Sequence, residues 1–167
     1  SYVGAPGALQ TGDGRYKFED AGAGGGGYLL RTAGWNPLRH YFNAFYLGAE
    51  PNQNNNVALA SIHNRFLTAD MSGCQFLAYG PNRNNLTVEH NNFINGGAAM
   101  YSARYNLINA AGHAVFIALR PSLVETQQPD KYFILEGANV VGVRKDDGWH
   151  FYARTRTDRG FVRTTEL

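Results

Sequence analysis

The chain is 167 residues long and carries 15 Lys+Arg against 13 Asp+Glu, a net charge of +2. That length fits one domain with a sizeable core, and the near balance of charge points to neither nucleic acid nor a membrane surface as a partner. The single cysteine, Cys74, rules out an internal disulfide and the finger type of Cys/His zinc site, and no apolar run reaches membrane length.

Residues 1–27 are rich in Gly and Ala and end in AGAGGGG. Helix and strand both lose backbone entropy on such a run, so a flexible segment preceding a single domain over residues 28–167 is expected. In residues 36–50 the side chains Leu38, Tyr41, Phe42, Phe45 and Tyr46 recur at helical spacing. Asn36 can cap that helix, Pro37 suits its first turn and Gly48 can end it. PNQNNN (51–56) then reads as a break of turn formers. VALASIHNRFL (57–67) is ambiguous between strand and helix. QFLAYG and LTVEH read as strands around a PNRN turn, and VFIAL (115–119) and KYFILE (131–136) as buried strands. ANVVGVRK and WHFYARTR flank Asp146-Asp147-Gly148, a strong hairpin signal. The expectation is an α+β domain: a strand-rich, largely antiparallel, β-sandwich-like core with flanking helices.

The segment LTADMSGCQFLAYGPNRNNLTVEHNN (67–92) places His90 sixteen positions after Cys74. If Pro81-Asn82-Arg83 forms a three-residue turn, Ala78 faces Leu86, Phe76 faces Val88 and Cys74 faces His90. Directly opposed Cβ atoms lie about 4.5–5.5 Å apart, so a thiol and an imidazole would share one apolar face. Gln75, Leu77, Tyr79, Asn85, Thr87 and Glu89 would form the other, more polar face. A four-residue loop would put Cys74 and His90 on opposite faces.

A thiolate can attack a carbonyl while a neighbouring imidazole takes and returns the proton. A third group must hold the imidazole, and Thr68 and Asp70 lie just upstream. Gly73 permits close backbone approach to a substrate. The bland alternative is a small buried cysteine that happens to precede a histidine.

Thr68, Ser72-Gly73-Cys74 and His90 together resemble the site motif of bacterial glutamine deamidase toxins. These are the cytotoxic necrotizing factor and Burkholderia lethal factor type, related to the chemotaxis receptor deamidases. In the last two groups a catalytic Thr lies six residues before the Cys, and here Thr68 lies six before Cys74. Met71 stands where those families have Leu, and the match covers residues 67–92. The resemblance implies a β-sandwich-like α+β fold and hydrolysis of a protein glutamine to glutamate. In that chemistry Cys74 is the nucleophile, His90 the base and acid, and Thr68 the group orienting His90. Backbone N–H groups around Ser72 and Gly73 would serve the oxyanion. It further implies no cofactor and no metal, a monomer secreted or injected by a bacterium, and a host protein as substrate, such as a small GTPase or a translation factor.

Other readings stay open from the residues. The same Cys-His pair could serve a cysteine protease or a transglutaminase, and a strand- and Asn-rich domain could be a non-enzymatic binding module. His40, His63, His113 and His150 show no metal-ligand spacing and are expected to be ordinary histidines. Trp35 and Trp149 read as packing residues. The basic residues Arg154, Arg156, Arg159 and Arg163 read as a solvated β face, and the Asn85-Leu86-Thr87 sequon as chance.

Overall fold

Two mostly antiparallel sheets and one helix make up the described part of the computed structural model, which covers residues 11–20, 28–32, 41–71, 73–119, 137–156 and 162–167. The strands are β1 (Gly12–Asp20), β2 (Tyr28–Thr32), β3 (Phe42–Leu47), β4 (Gln53–Leu59), β5 (Arg65–Thr68), β6 (Gln75–Asn82), β7 (Asn85–Asn92), β8 (Val115–Leu119), β9 (Gly137–Lys145), β10 (Gly148–Arg156) and β11 (Val162–Glu166). The helix, α1, spans Gly97–Ala110 between β7 and β8. A seven-stranded sheet runs β11-β10-β9-β5-β3-β1-β2, and a four-stranded sheet runs β4-β7-β6-β8. Only β3 and β5 pair in parallel among these strands. The chain is therefore an α+β protein with a β-rich core, as its strand signals predict.

The sheets face each other across one aromatic core. Phe45, Leu47, Phe66 and Phe151 from the large sheet meet Phe76, Ala78, Leu86 and Val88 from the small one. Phe76 lies between Phe66 and Phe151, with ring centroids 5.9 and 5.4 Å away. Full burial of each such ring stabilises by about 1.5–3 kcal/mol. A second cluster, Tyr16, Leu30, Ala44, Tyr46 and Leu67, covers the opposite face of the large sheet.

Four expectations are corrected. The helix expected over 36–50 is strand β3 from Phe42 to Leu47; residues 36–40 lie outside the described part. Phe42, Ala44 and Tyr46 pack into the outer cluster, while Phe45 and Leu47 enter the inner core. A strand apolar on both faces has no period-2 signal, and its spacing imitates a helix. The break expected over 51–56 ends at Asn52, because β4 starts at Gln53. Within the segment 1–27, expected to be flexible, Gly12–Asp20 forms β1, paired on one side with β2 and on the other with β3; residues 1–10 and 21–27 lie outside the described part. The helix α1 was not foreseen. Only Tyr101 and Ile108 of its residues are buried, and its N-cap, Gly96, offers no side-chain cap. VFIAL is a strand as expected, but as the edge strand β8 it is only partly buried. KYFILE, Trp35, His40 and Arg159 fall outside the described residues.

At one end of the sandwich two hairpin tips clasp each other. The backbone N–H of Trp149 donates to the Arg83 carbonyl at 2.9 Å, and Arg83 Nη1 donates to the Trp149 carbonyl at 2.9 Å. Gly148, at φ +116°, lies so close that a Cβ there would stand 2.5 Å from the Arg83 Cβ.

The β6–β7 hairpin turns at Arg83-Asn84, not over Pro81–Arg83, with Asn82 opposite Asn85. A bulge between Tyr79 and Asn82 then adds a residue to β6, so Ala78 faces Val88 and Phe76 faces His90. Gly80 makes this possible, since a Cβ there would sit 2.0 Å from the Asn85 carbonyl oxygen. Gly80→Ala is therefore expected to lower stability by roughly 1–3 kcal/mol, read as a reduced urea midpoint. An unchanged midpoint would mean that the bulge does not depend on this close approach.

Candidate active site

The hairpin register decides where Cys74 stands. Phe76, not Cys74, is opposite His90, and pairing ends at Gln75 opposite Asn91. The expected direct apposition of Cys74 and His90 is thus displaced by two residues. A shift of two preserves the face of every side chain. Cys74, one residue before β6, is therefore on the inner face with His90, and it is buried in the inner core. The shortened turn moves the register by an odd number of positions and the bulge restores its parity. Neither can be read from PNRN alone.

His90 is central in the small sheet, with Phe76 on one side and Asn55 of β4 on the other. Its ring is fully buried, and neither nitrogen makes a well-aligned hydrogen bond among the described residues, although the backbone of Leu47 and Gly48 lies within reach of the ring. Burial pushes its pKa down to about 4, against a smaller opposing pull from the backbone of Leu47 and Gly48. The imidazole is therefore neutral at pH 7. Buried polar groups are nearly always satisfied, so an imidazole with no side-chain partner, on the same face as the only thiol, stands out from the other described histidines. His63 packs at a tilt against Phe45 with ring centroids 5.0 Å apart, His113 likewise against Tyr79 at 4.8 Å, and His150 contacts Asp147 and Glu166, each at 2.8 Å.

Thr68 reaches the same end of the sandwich from the large sheet. It closes β5, is fully buried, and lies in register with Leu47, whose backbone lies against the His90 ring. Its Oγ1 accepts a hydrogen bond from the Val140 N–H at 2.8 Å. Three residues on, Met71 exchanges backbone hydrogen bonds with Ala138 at 2.7 and 2.8 Å. These links to β9 fix the crossing by which the chain leaves β5 and enters β6 through Cys74. Asp70, the other candidate for holding His90, is exposed. Ser72 lies outside the described residues. Cys74 is 7 % exposed and belongs to the inner core, whereas a Cβ on Gly73 would meet nothing within 4 Å. The space beside the Gly73 backbone is therefore open.

The residues missed in the sequence lie on the reverse of the same strands. Gln75 and Asn91 flank Cys74 and His90, and Asn91 Nδ2 donates to Gln75 Oε1 at 3.2 Å. Gln75 Nε2 donates to the Tyr101 carbonyl of α1 at 3.2 Å. Glu89, 1 % exposed, accepts from Tyr79 at 2.6 Å, Asn54 at 2.8 Å and Arg104 Nε at 2.9 Å. A second guanidinium nitrogen of Arg104 also reaches it. Burial disfavours the Glu89 carboxylate, but the bonds from Arg104, Tyr79 and Asn54 outweigh it and leave its pKa below the usual value. This network ties α1 to the backbone beneath Cys74 and His90. The polar alternation of Gln75, Tyr79 and Glu89 was its only sequence signal.

The depressed His90 pKa has a consequence for stability. The unfolded chain takes up a proton near pH 6.5 and the folded chain near pH 4. The stabilising contribution is complete above pH 6.5 and is lost as pH falls through 4. Between pH 7 and pH 5 the expected loss is roughly 2 kcal/mol. Urea unfolding at both pH values should show it in the wild type and much less in His90→Asn. Equal pH slopes in the two proteins would contradict a buried neutral imidazole.

Among the described residues no three His, Cys, Asp or Glu side chains converge to hold a metal ion. No described helix is long and apolar enough to cross a membrane. No protein-family model matches the chain, and no characterised protein matches it in sequence.

Proposed function

We propose that the chain is a cysteine-dependent protein glutamine deamidase. The observation that carries this reading is the fully buried, neutral His90, its ring nitrogens without a side-chain hydrogen bond, on the same face and at the same end of the sandwich as Cys74 and Thr68. The resemblance in residues 67–92 names these same three side chains, which come from three separate segments.

In the proposed reaction His90 accepts the Cys74 proton as Sγ attacks the γ-carboxamide carbon of a protein glutamine. The tetrahedral oxyanion is held by backbone N–H groups of the Ser72–Cys74 step. Its collapse breaks the C–N bond, and His90 returns its proton to the departing ammonia. The thioester is then hydrolysed by a water that gives its proton to His90 and passes it back to Sγ. The products are glutamate and ammonia. Thr68 limits the freedom of the His90 ring through the Leu47 strand and needs no proton of its own. A protein amine in place of water would make the same site a transglutaminase. The substrate side chain enters over Gly73, where there is room for it. A host protein as target, with delivery by secretion or injection, belongs to this proposal through the resemblance alone.

The test is mass spectrometry of a host-cell lysate treated with wild type or Cys74→Ser. A gain of about one dalton at a glutamine, dependent on Cys74, supports the reading. Cleaved peptides without that gain would instead favour a protease. A lysate unchanged by the wild type would favour a binding module, to which the 7 % exposure of Cys74 also lends itself.

A further inference from the structure

The outer face of the large sheet carries a cavity of about 460 Å3 that has no part in the chemistry above. Its floor is apolar: Leu67 and Val141 face each other across β5 and β9, with Phe42 and Val143 beside them. Two guanidinium groups, Arg65 and Arg154, stand at its edge. Arg65 lies 5.7 Å over the Phe42 ring. Among the described residues neither arginine pairs with a carboxylate. Phe66, between Arg65 and Leu67 in sequence, points the other way into the inner core, so the cavity is separated from the Cys74 end by the thickness of the sheet.

Small-molecule sites have volumes of about 300–1,000 Å3, apolar walls and a few placed polar groups. This cavity meets all three conditions. Its polar lining is Asn64 and the two cations, and a guanidinium beside an apolar wall recognises a carboxylate through paired, charge-assisted hydrogen bonds. We infer that the cavity binds a small amphipathic carboxylate: an apolar body over Leu67, Val141 and Phe42, with its anionic group at the cationic rim that Arg65 and Arg154 supply. The volume suits one such molecule and is too small for a folded partner.

The probes are decanoate and decanol, which share an apolar chain and differ in charge. Isothermal titration of the full chain should show saturable decanoate binding at least tenfold tighter than decanol. Arg65→Gln with Arg154→Gln should weaken decanoate at least fivefold and leave decanol unchanged. Val143 is 39 % exposed and lies opposite Arg65, so Val143→Glu tolerates folding and places a competing carboxylate beside that guanidinium. It should abolish decanoate binding. The rate of Cys74 alkylation should be unchanged in all variants, showing that the core is intact. Equal affinity for the two probes, no saturable decanoate binding, or arginine variants that bind decanoate like the wild type would each overturn the assignment.

Discussion

Cys74→Ser is expected to reduce ammonia release from a glutamine-bearing protein by a factor on the order of 10³ or more. The serine hydroxyl is the weaker nucleophile, and a neutral imidazole activates it poorly. His90→Ala is expected to lose about 10²–10⁴-fold, the usual contribution of a positioned acid-base group. Because the two act as one unit, the double variant should be hardly slower than Cys74→Ser alone. Additive losses would argue against a shared step. The ordinary burial of both groups makes folding a necessary control, and Cys74→Ser is the smaller perturbation. The resting imidazole has its pKa near 4, so the proton moves during attack and not beforehand. The acid limb of kcat/KM should therefore lie well below the free-histidine value of 6.5, with little change between pH 7 and pH 5. Iodoacetamide should label Cys74 more slowly in His90→Ala than in the wild type, and equal rates would separate the thiol from its proposed base.

Much of the strand content was legible because it rests on short-range signals. The β9–β10 hairpin follows from Asp146-Asp147-Gly148, and β6 and β7 follow from alternating apolar residues around PNRN. What failed had identifiable physics behind it. The strand β3 is buried on both faces, so its aromatic residues carry no alternation. The helix α1 is held by polar bonds from Gln75 and Arg104 more than by an apolar stripe, so its period was faint. At the site, Cys74 and His90 share a face as expected, but through two compensating departures: the two-residue turn shifts the register by an odd number of positions, and the extra residue at Gly80–Pro81 restores its parity while leaving the direct apposition displaced. Thr68 joins the other two through a parallel pairing with Leu47, a long-range contact with no local signature.

Arg104→Ala should be the most destabilising single change outside the apolar core, by about 3–5 kcal/mol. Glu89 is 1 % exposed, and removal of its guanidinium leaves a buried carboxylate with only the neutral donors of Tyr79, Asn54 and Asn91. The penalty comes from the charge left behind, so removing that charge as well should recover part of it. Arg104→Ala with Glu89→Gln is expected to be more stable at pH 7 than Arg104→Ala alone, a coupling that urea unfolding of the four-protein cycle measures directly. The pH dependence gives an independent reading. In the wild type the Glu89 pKa is depressed, so its stabilisation is present above the unfolded value of 4.5 and is lost as pH falls through the folded value. Without Arg104 the carboxyl pKa rises from its wild-type position, so lowering the pH should diminish the deficit relative to wild type. Glu89 adjoins His90 in β7, so the same variant should also change Cys74 alkylation if the outer network positions the site. Unchanged alkylation in a folded Arg104→Ala protein would confine that network to holding α1 on the sheet.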